Sequence, residues 1–426
     1  MAVVACMTNS VLAQPTASPK YVILITIDGL RAEMIDDVEM PSPFLRMMSR
    51  EGLRIQRVIG VPPAGTYPSH TTLVTGEVPA RHRVFYNRPF LWNKDTARIS
   101  YWYAASIAVP TIWQRAHEAG MKTASLFWPV STGSPYIDYN VPEFWSLDYS
   151  CDQMEYIKPS CTPLGILDEL ERNACGKLDT ITYQAGSLQR DGRTAAMANY
   201  LMNHYQPRLM TIHLITTDYS QHALGTHSQQ LLQDMGSADH AVGSILENLR
   251  LTHRLDSTVV IVTGDHGFCD YSQTLSPNVW LTRAGLLSQK PGGEWKACFY
   301  GAGNTSFLYL RNGNDKKTLH RVRRLLNELP EEERRLFRVA EKEELEMKGA
   351  DPAVKLALEP IVGVSVTNNR TGAVVGDRKG GTHGFISGQD PTTLIAYGPG
   401  IVPGSQDIIR QTDIAPWILR LLGVGK

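Results

Sequence analysis

The run Tyr21-Val-Ile-Leu-Ile-Thr-Ile27, closed by Asp28-Gly29, restricts the possible folds more than any other stretch of this chain. Its residues are apolar or β-branched throughout and lack the alternation of a half-exposed strand, so the run predicts a strand buried on both faces. Strands of that kind belong to parallel sheets covered by helices. Parallel strands need long crossovers, so strand and helix should alternate along the chain.

They do. Pro43 to Gly52 reads as a helix, and Thr111 to Gly120 as another with a glycine stop before a strand over Lys122 to Phe127. Thr194 to Tyr205 reads as helix, Leu209 to Ile215 as strand, Gln229 to Leu251 as a long helix and Asp256 to Thr263 as strand. The alternation predicts an α/β sandwich around a mostly parallel sheet. It breaks after about Pro291. Residues 316–348 are heavily charged and read as solvated helix faces, between apparent strands at Thr305–Leu310 and Ile361–Val366. Residues 292–375 therefore read as a smaller α+β cap insertion between the two pieces, 20–291 and 376–426, of a discontinuous main domain. Thr392–Tyr397 returns to the main sheet as a strand, and Asp413 to Leu422 closes the chain as a helix.

Composition excludes some partners. Lysine plus arginine number 42 and aspartate plus glutamate 42, so no global field draws a polymeric nucleic acid or an anionic membrane. An anionic ligand must be held locally. There is no window of about 18 apolar residues to form a transmembrane segment. Residues 1–19 resemble the tail of a signal peptide, with small-residue cleavage character at Val11-Leu12-Ala13 but no positive n-region. This points to a secreted or periplasmic protein. Cys151, Cys161 and Cys175 cluster in one polar stretch where a disulfide is plausible, with Cys269 and Cys298 further on.

Chemistry-bearing residues recur at the carboxyl ends of the expected strands, where open α/β sheets place their sites. Asp28 follows the first strand. Asp218 and His222 follow Leu209–Ile215, four residues apart and able to face one ion. Asp265-His266 follows Thr258–Thr263, and His383 sits in Gly380-Gly-Thr-His-Gly384. Singly, each could be a turn or loop residue. Together, three Asp and three His supply two sets of ligands suited to zinc without thiolates. Thr66, after Pro-Pro-Ala-Gly and before Pro68, stands at an expected helix start near the N-cap, where free N–H groups favour an anion.

In this order the motifs resemble those of the nucleotide pyrophosphatase/phosphodiesterase family of the alkaline phosphatase superfamily. The matching pieces are Ile27-Asp28-Gly29, Thr66-Tyr-Pro-Ser-His70, Leu73-Val-Thr-Gly76, Asn87, Phe127-Trp128-Pro129, Asp218 with His222, Asp265-His266-Gly267 and Gly381-Thr-His-Gly384. The resemblance implies an alkaline-phosphatase-like three-layer sandwich. It implies two Zn2+ ions, one on Asp218, His222 and His383, the other on Asp28, Asp265, His266 and Thr66. It further implies that Thr66 is the nucleophile of a phospho-threonine intermediate and that Asn87 donates to a phosphate oxygen. Phe127 and Trp128 stand where monoesterase relatives tend to carry a cation, which favours a diester, and Tyr67 resembles an aromatic position on which a base stacks. A small-molecule phosphodiester or nucleotide is then the expected substrate. One departure concerns loop shape: the family's Pro-Asp-x-x-Gly-His reads here Thr217-Asp-Tyr-Ser-Gln-His222. The same scaffold also suits a phosphonate or phospholipid-headgroup hydrolase, and a non-catalytic metal-stabilised binding protein is the alternative of another class.

Overall fold

The computed structural model describes Leu12 and residues 19–91, 100–148 and 150–424. The leader-like residues 1–19 thus lie outside the described residues, apart from Leu12 and Pro19. Six strands come first in the chain: β1 (Tyr21–Ile27), β2 (Leu53–Ile59), β3 (Thr123–Leu126), β4 (Tyr139–Val141), β5 (Leu209–Leu214) and β6 (Thr258–Thr263). With Thr392–Tyr397 and Gly404–Arg410 they make an eight-stranded sheet. Its order is Gly404–Arg410, β2, Thr392–Tyr397, β6, β1, β5, β3, β4. Every pairing is parallel except those of Thr392–Tyr397, which runs antiparallel to both β2 and β6.

Strand geometry sends alternate side chains of β1 to opposite faces, and both faces are covered. Ile23, Ile25 and Ile27 join one core with Leu231, Met235, Val242 and Ile245 of the Gln229–Leu251 helix. Val22 and Leu24 join the other with Leu73, Val74, Trp113 and Trp417. The result is helix, sheet, helix in three layers. Each such buried Ile or Leu contributes about 1.5–3 kcal/mol relative to exposure, which is why an unalternating apolar run settles at the centre of the sheet.

A separate antiparallel sheet runs in the order Phe337–Glu341, Leu356–Pro360, Thr305–Leu310, Ala297–Ala302. The charged stretch packs on it by one side only. In Lys316–Asn327, Thr318, Val322 and Leu326 are buried while the basic residues stay at the surface. A three-stranded ribbon, Gly363–Val366, Cys269–Leu275 and Val375–Thr382, carries the chain back toward the main sheet. Among the described residues Cys151, Cys161, Cys175, Cys269 and Cys298 are free thiols. The disulfide considered from the Cys151–Cys175 spacing is therefore absent.

Candidate active site

The sheet order places β6, β1 and β5 side by side, in register from Thr26 against Thr263 and Ile27 against Leu214. Their carboxyl ends consequently deliver Asp28, the Thr216–Leu224 helix and Asp265-His266 to one edge. Gly264 makes the β6 exit possible, since a Cβ there would lie 2.1 Å from Thr392 Oγ1 and 2.8 Å from the Leu30 carbonyl oxygen. On the helix, Asp218 and His222 stand one turn apart, with His222 Nε2 3.4 Å from Asp218 Oδ1. Helical structure here is stabilised by the residue that replaces the family's glycine. Buried Gln221 donates through Nε2 to the Gly29 carbonyl at 2.9 Å and ties the helix to the end of β1. His383 arrives just after the Val375–Thr382 strand.

Three imidazoles are held in the same way. The Nδ1 of His222 donates to the Gly381 carbonyl (3.1 Å), that of His266 to the Gly267 carbonyl (3.2 Å) and that of His383 to the Ala64 carbonyl (2.7 Å). Donation at Nδ1 fixes the tautomer and leaves Nε2 as a free lone pair, the usual preparation of a metal-ligating histidine. The rings of His266 and His383 stack 3.5 Å apart at 6°. His266 Nε2 lies 3.4 Å from Asp28 Oδ1 and 3.2 Å from Asp265 Oδ2. Those three atoms, and Asp218 Oδ1, are buried without a hydrogen-bond partner. Buried polar atoms are ordinarily satisfied, so four orphans pointing at one another mark a place built for a cation.

The electrostatics agree. Burial, and then the charges of Asp265 and Asp218, push the Asp28 carboxyl well above the usual range, and burial also raises Asp218. Burial lowers His266 to about 3 and holds His383 well below an ordinary histidine, so both rings are neutral and able to ligate. Crowded carboxylates beside neutral imidazoles are the donor set of a hard or borderline divalent metal, and the residues fit one.

The structure gathers Asp218, His222 and His383 as one group with ligand atoms within 4.8 Å of one another. Its second group is Asp28, Asp218 and His266, so Asp218 adjoins both clusters. Asp265 joins the second through His266 and also approaches His70, whose Nδ1 is 3.6 Å from its Oδ2.

Thr66 is the first residue of the Thr66–Thr75 helix; Gly65 occupies the N-cap, and no side chain of the cap residue bonds back to the helix. The expected cap at Thr66 therefore moves one residue upstream, which leaves the threonine hydroxyl without a capping duty. Asn87 takes over part of that task, its Oδ1 accepting the Tyr67 backbone N–H at 2.9 Å. His70, one turn on, bonds the Thr66 carbonyl through Nδ1 (2.7 Å) and the Thr26 hydroxyl through Nε2 (2.8 Å). It anchors the helix start to β1.

The three aromatic residues expected to touch substrate are interior in this structure. Trp128 is fully buried, edge-on to Trp113 and His70, and its Nε1 donates to the His70 carbonyl. Phe127 is 2% exposed and lies under the buried Arg190 guanidinium, 4.6 Å from the ring centre. Packing against the core explains both, and Trp128 offers a ligand no accessible surface. Tyr67 is 3% exposed against Trp102, and its hydroxyl is buried without a formed hydrogen bond. Burial, and then the Glu143 charge, push that phenol well above the ordinary tyrosine range.

Two further residues take part to which the sequence assigns no role, His213 and Glu143. His213 lies within β5, with Nε2 3.0 Å from Asp28 Oδ2 and Nδ1 3.0 Å from Glu143 Oε2. Burial alone would discharge the ring, but the bonds to Asp28 and Glu143 outweigh it and hold its pKa well above the ordinary value. A histidine inside a largely apolar strand is the available signal for the first; Glu143, in the mostly apolar loop after β4, is a lone buried carboxylate with no motif around it.

A family model described as type I phosphodiesterase / nucleotide pyrophosphatase matches residues 22–386. Ectonucleotide pyrophosphatase/phosphodiesterase family member 7 of Mus musculus is 24% identical over 279 residues, covering 64% of this chain and 54% of that protein. Family member 3 of Mus musculus is 23% identical over 267 residues, covering 60% of this chain and 26% of that protein. The chain thus spans about half the length, or less, of these curated relatives. Among solved structures, murine and human ectonucleotide pyrophosphatase / phosphodiesterase 5 each superpose with a TM-score of 0.66 at 17% identity, covering 95% of both chains. That likeness shows an alkaline-phosphatase-like fold. With the family model spanning most of its length, the chain belongs to the type I phosphodiesterase / nucleotide pyrophosphatase family.

Proposed function

We propose that this protein is a two-zinc hydrolase of phosphodiester or pyrophosphate bonds, favouring nucleotide-type substrates and working through a phospho-threonine intermediate on Thr66. The observation that carries the reading is the convergence of three imidazoles, each presenting a free Nε2, with orphaned carboxylate oxygens of Asp28, Asp218 and Asp265. The solved inactive form of a murine relative is described as a complex with AMP, which supports a nucleotide as the substrate class.

In this reading Asp218, His222 and His383 hold one zinc, and Asp28, Asp265, His266 and Thr66 the other. When bound, the ions supply positive charge that makes the threonine hydroxyl acidic and offsets charge on the phosphate. Thr66 Oγ attacks phosphorus as the bond to the leaving group breaks, and water then hydrolyses the phospho-threonine. The exposed backbone N–H groups of the helix start face the anion. Asn87, held by the Tyr67 N–H through Oδ1, turns its amide donors toward a non-bridging oxygen. Residues 292–375 serve as the cap insertion. The leader-like start supports action outside the cytoplasm, and no helix among the described residues is long and apolar enough to cross a membrane.

The test is a metal determination on the purified full chain, followed by assays of a chromogenic phosphodiester, a monoester and a phosphonate beside Thr66→Ala. Bound zinc with diester turnover that Thr66→Ala abolishes is the expected result. Undiminished turnover in Thr66→Ala, or a metal-free active protein, sinks the mechanism. Zinc binding with no turnover of any substrate makes the protein a binding module instead, and dominant phosphonate turnover moves it to the other hydrolase class.

A further inference from the structure

Two carboxylates of the cluster have one oxygen held and the other orphaned: Asp265 Oδ1 accepts the backbone N–H groups of Gly29 and His266, whereas Asp28 is held by a side chain. Asp28 Oδ2 is engaged by His213 Nε2 at 3.0 Å, whereas Asp28 Oδ1 is the orphan that faces His266 Nε2 at 3.4 Å. The opposite side of the His213 ring meets two acceptors. Nδ1 lies 3.0 Å from Glu143 Oε2 and 3.1 Å from the Phe127 carbonyl oxygen. Acceptors on both sides make both ring nitrogens donors. Glu143 and His213 are each about 1% exposed, so the chain of contacts is closed to solvent. Phe127 stands at φ +55°, a left-handed conformation unusual for a non-glycine residue, and that backbone aims its carbonyl at the ring. Observed strain of this kind points to a constraint imposed by the site.

We propose that Glu143 and His213 form a positioning relay that turns Asp28 so that Oδ1, and not Oδ2, is presented to the metal. The inference rests on the two-metal reading of the site. Glu143 and the Phe127 carbonyl fix the ring, the ring occupies Oδ2, and the one lone-pair face left to Asp28 looks into the cluster. His213 touches neither substrate nor reacting atoms. Loss of such an outer partner typically costs about 10- to 100-fold in metal affinity.

The experiment compares wild type with Glu143→Gln, His213→Gln and His213→Leu. Zn2+ affinity is measured by competition with a chromophoric chelator, and the visible spectrum of the Co2+-substituted protein is recorded beside it. Glu143→Gln is nearly isosteric and is expected to weaken one of two Zn2+ sites about tenfold and to shift the Co2+ spectrum. His213→Gln retains a side-chain N–H donor for Asp28 and should bind zinc more tightly than His213→Leu, which has none. The relay is overturned if Glu143→Gln binds both Zn2+ ions within twofold of wild type with an unchanged Co2+ spectrum, or if His213→Leu and His213→Gln are equally affected. If the His213 variants do not fold, Glu143→Gln decides alone. Failure here is distinct from failure of the two-zinc reading, in which wild type itself would hold no zinc.

Discussion

Asn87 Oδ1 accepts the backbone N–H of Tyr67 at 2.9 Å, so the side chain that finishes the helix start also fixes where its own amide donors can point. Removing it tests two functions with different readouts. Asn87→Ala is expected to lower kcat about 100- to 1,000-fold, the usual loss of one positioned donor to a developing oxyanion. Asn87→Asp keeps the acceptor for Tyr67 and loses the donors, so it should lose as much activity while melting within a degree or two of wild type. Steady-state kinetics and a thermal scan of the two variants check both.

Metal should also hold the fold together. Asp28 and Asp218 are raised by burial and by neighbouring negative charge, a repulsion that a cation relieves. At free Zn2+ about 1,000-fold above its Kd, binding adds about 4 kcal/mol to stability. The expected result is a thermal midpoint several degrees higher with Zn2+ than after exhaustive chelation. Equal midpoints would show that the orphaned oxygens are satisfied in some other way.

Away from the site, His82 predicts an acid-sensitive element. It is fully buried; Val84 N–H donates to its Nδ1, and Nε2 bonds the Thr72 hydroxyl, both at 3.1 Å. Burial lowers its pKa from the ordinary 6.5 to about 3. Between those values the unfolded chain takes up a proton that the folded protein refuses, so stability falls as pH drops. The contribution is complete above about pH 6.5 and is lost as pH falls toward 3. His82→Gln removes this titration. The stability gap between wild type and variant, from urea midpoints, should therefore narrow steadily on acidification from pH 7 to 4.

At Gly29 the backbone itself is at stake. Its φ is +71°, and a Cβ would stand 2.6 Å from the Phe268 ring and 2.8 Å from Gln221 Nε2. Gly29→Ala should destabilise the protein by about 1–3 kcal/mol, read from a denaturant titration. Because Gln221 is bonded to the Gly29 carbonyl, the shift should also displace Asp28 and lower kcat.

The legibility of the fold followed burial. β1, β5 and β6 are buried along their lengths and largely apolar or β-branched, and their ends lead directly to Asp28, Asp218 and Asp265-His266. β2 was missed because Arg54, Gln56 and Arg57 interrupt it. Its hydrogen-bonded place in the sheet depends on neighbours more than 300 residues away. Gly404–Arg410 is an edge strand with mostly exposed side chains and carries no hydrophobic signature. In the site, ligand types could be read from strand ends, whereas the ties that orient them could not. The carbonyls of Ala64, Gly267 and Gly381 that fix three imidazoles belong to backbone, which has no residue identity to recognise.

The single antiparallel strand, Thr392–Tyr397, slots between β2 and β6, well inside the sheet, and only eight residues separate it from His383. A chain still being synthesised can form β1, β5 and β6 and bring Asp28, Asp218 and Asp265 together. It lacks His383 until the residues after the Val375–Thr382 strand have emerged, shortly before Thr392–Tyr397 can enter its gap. Completion of the sheet and completion of the Asp218, His222 and His383 group therefore draw on the same late stretch of chain, and a polypeptide cut before residue 383 lacks both.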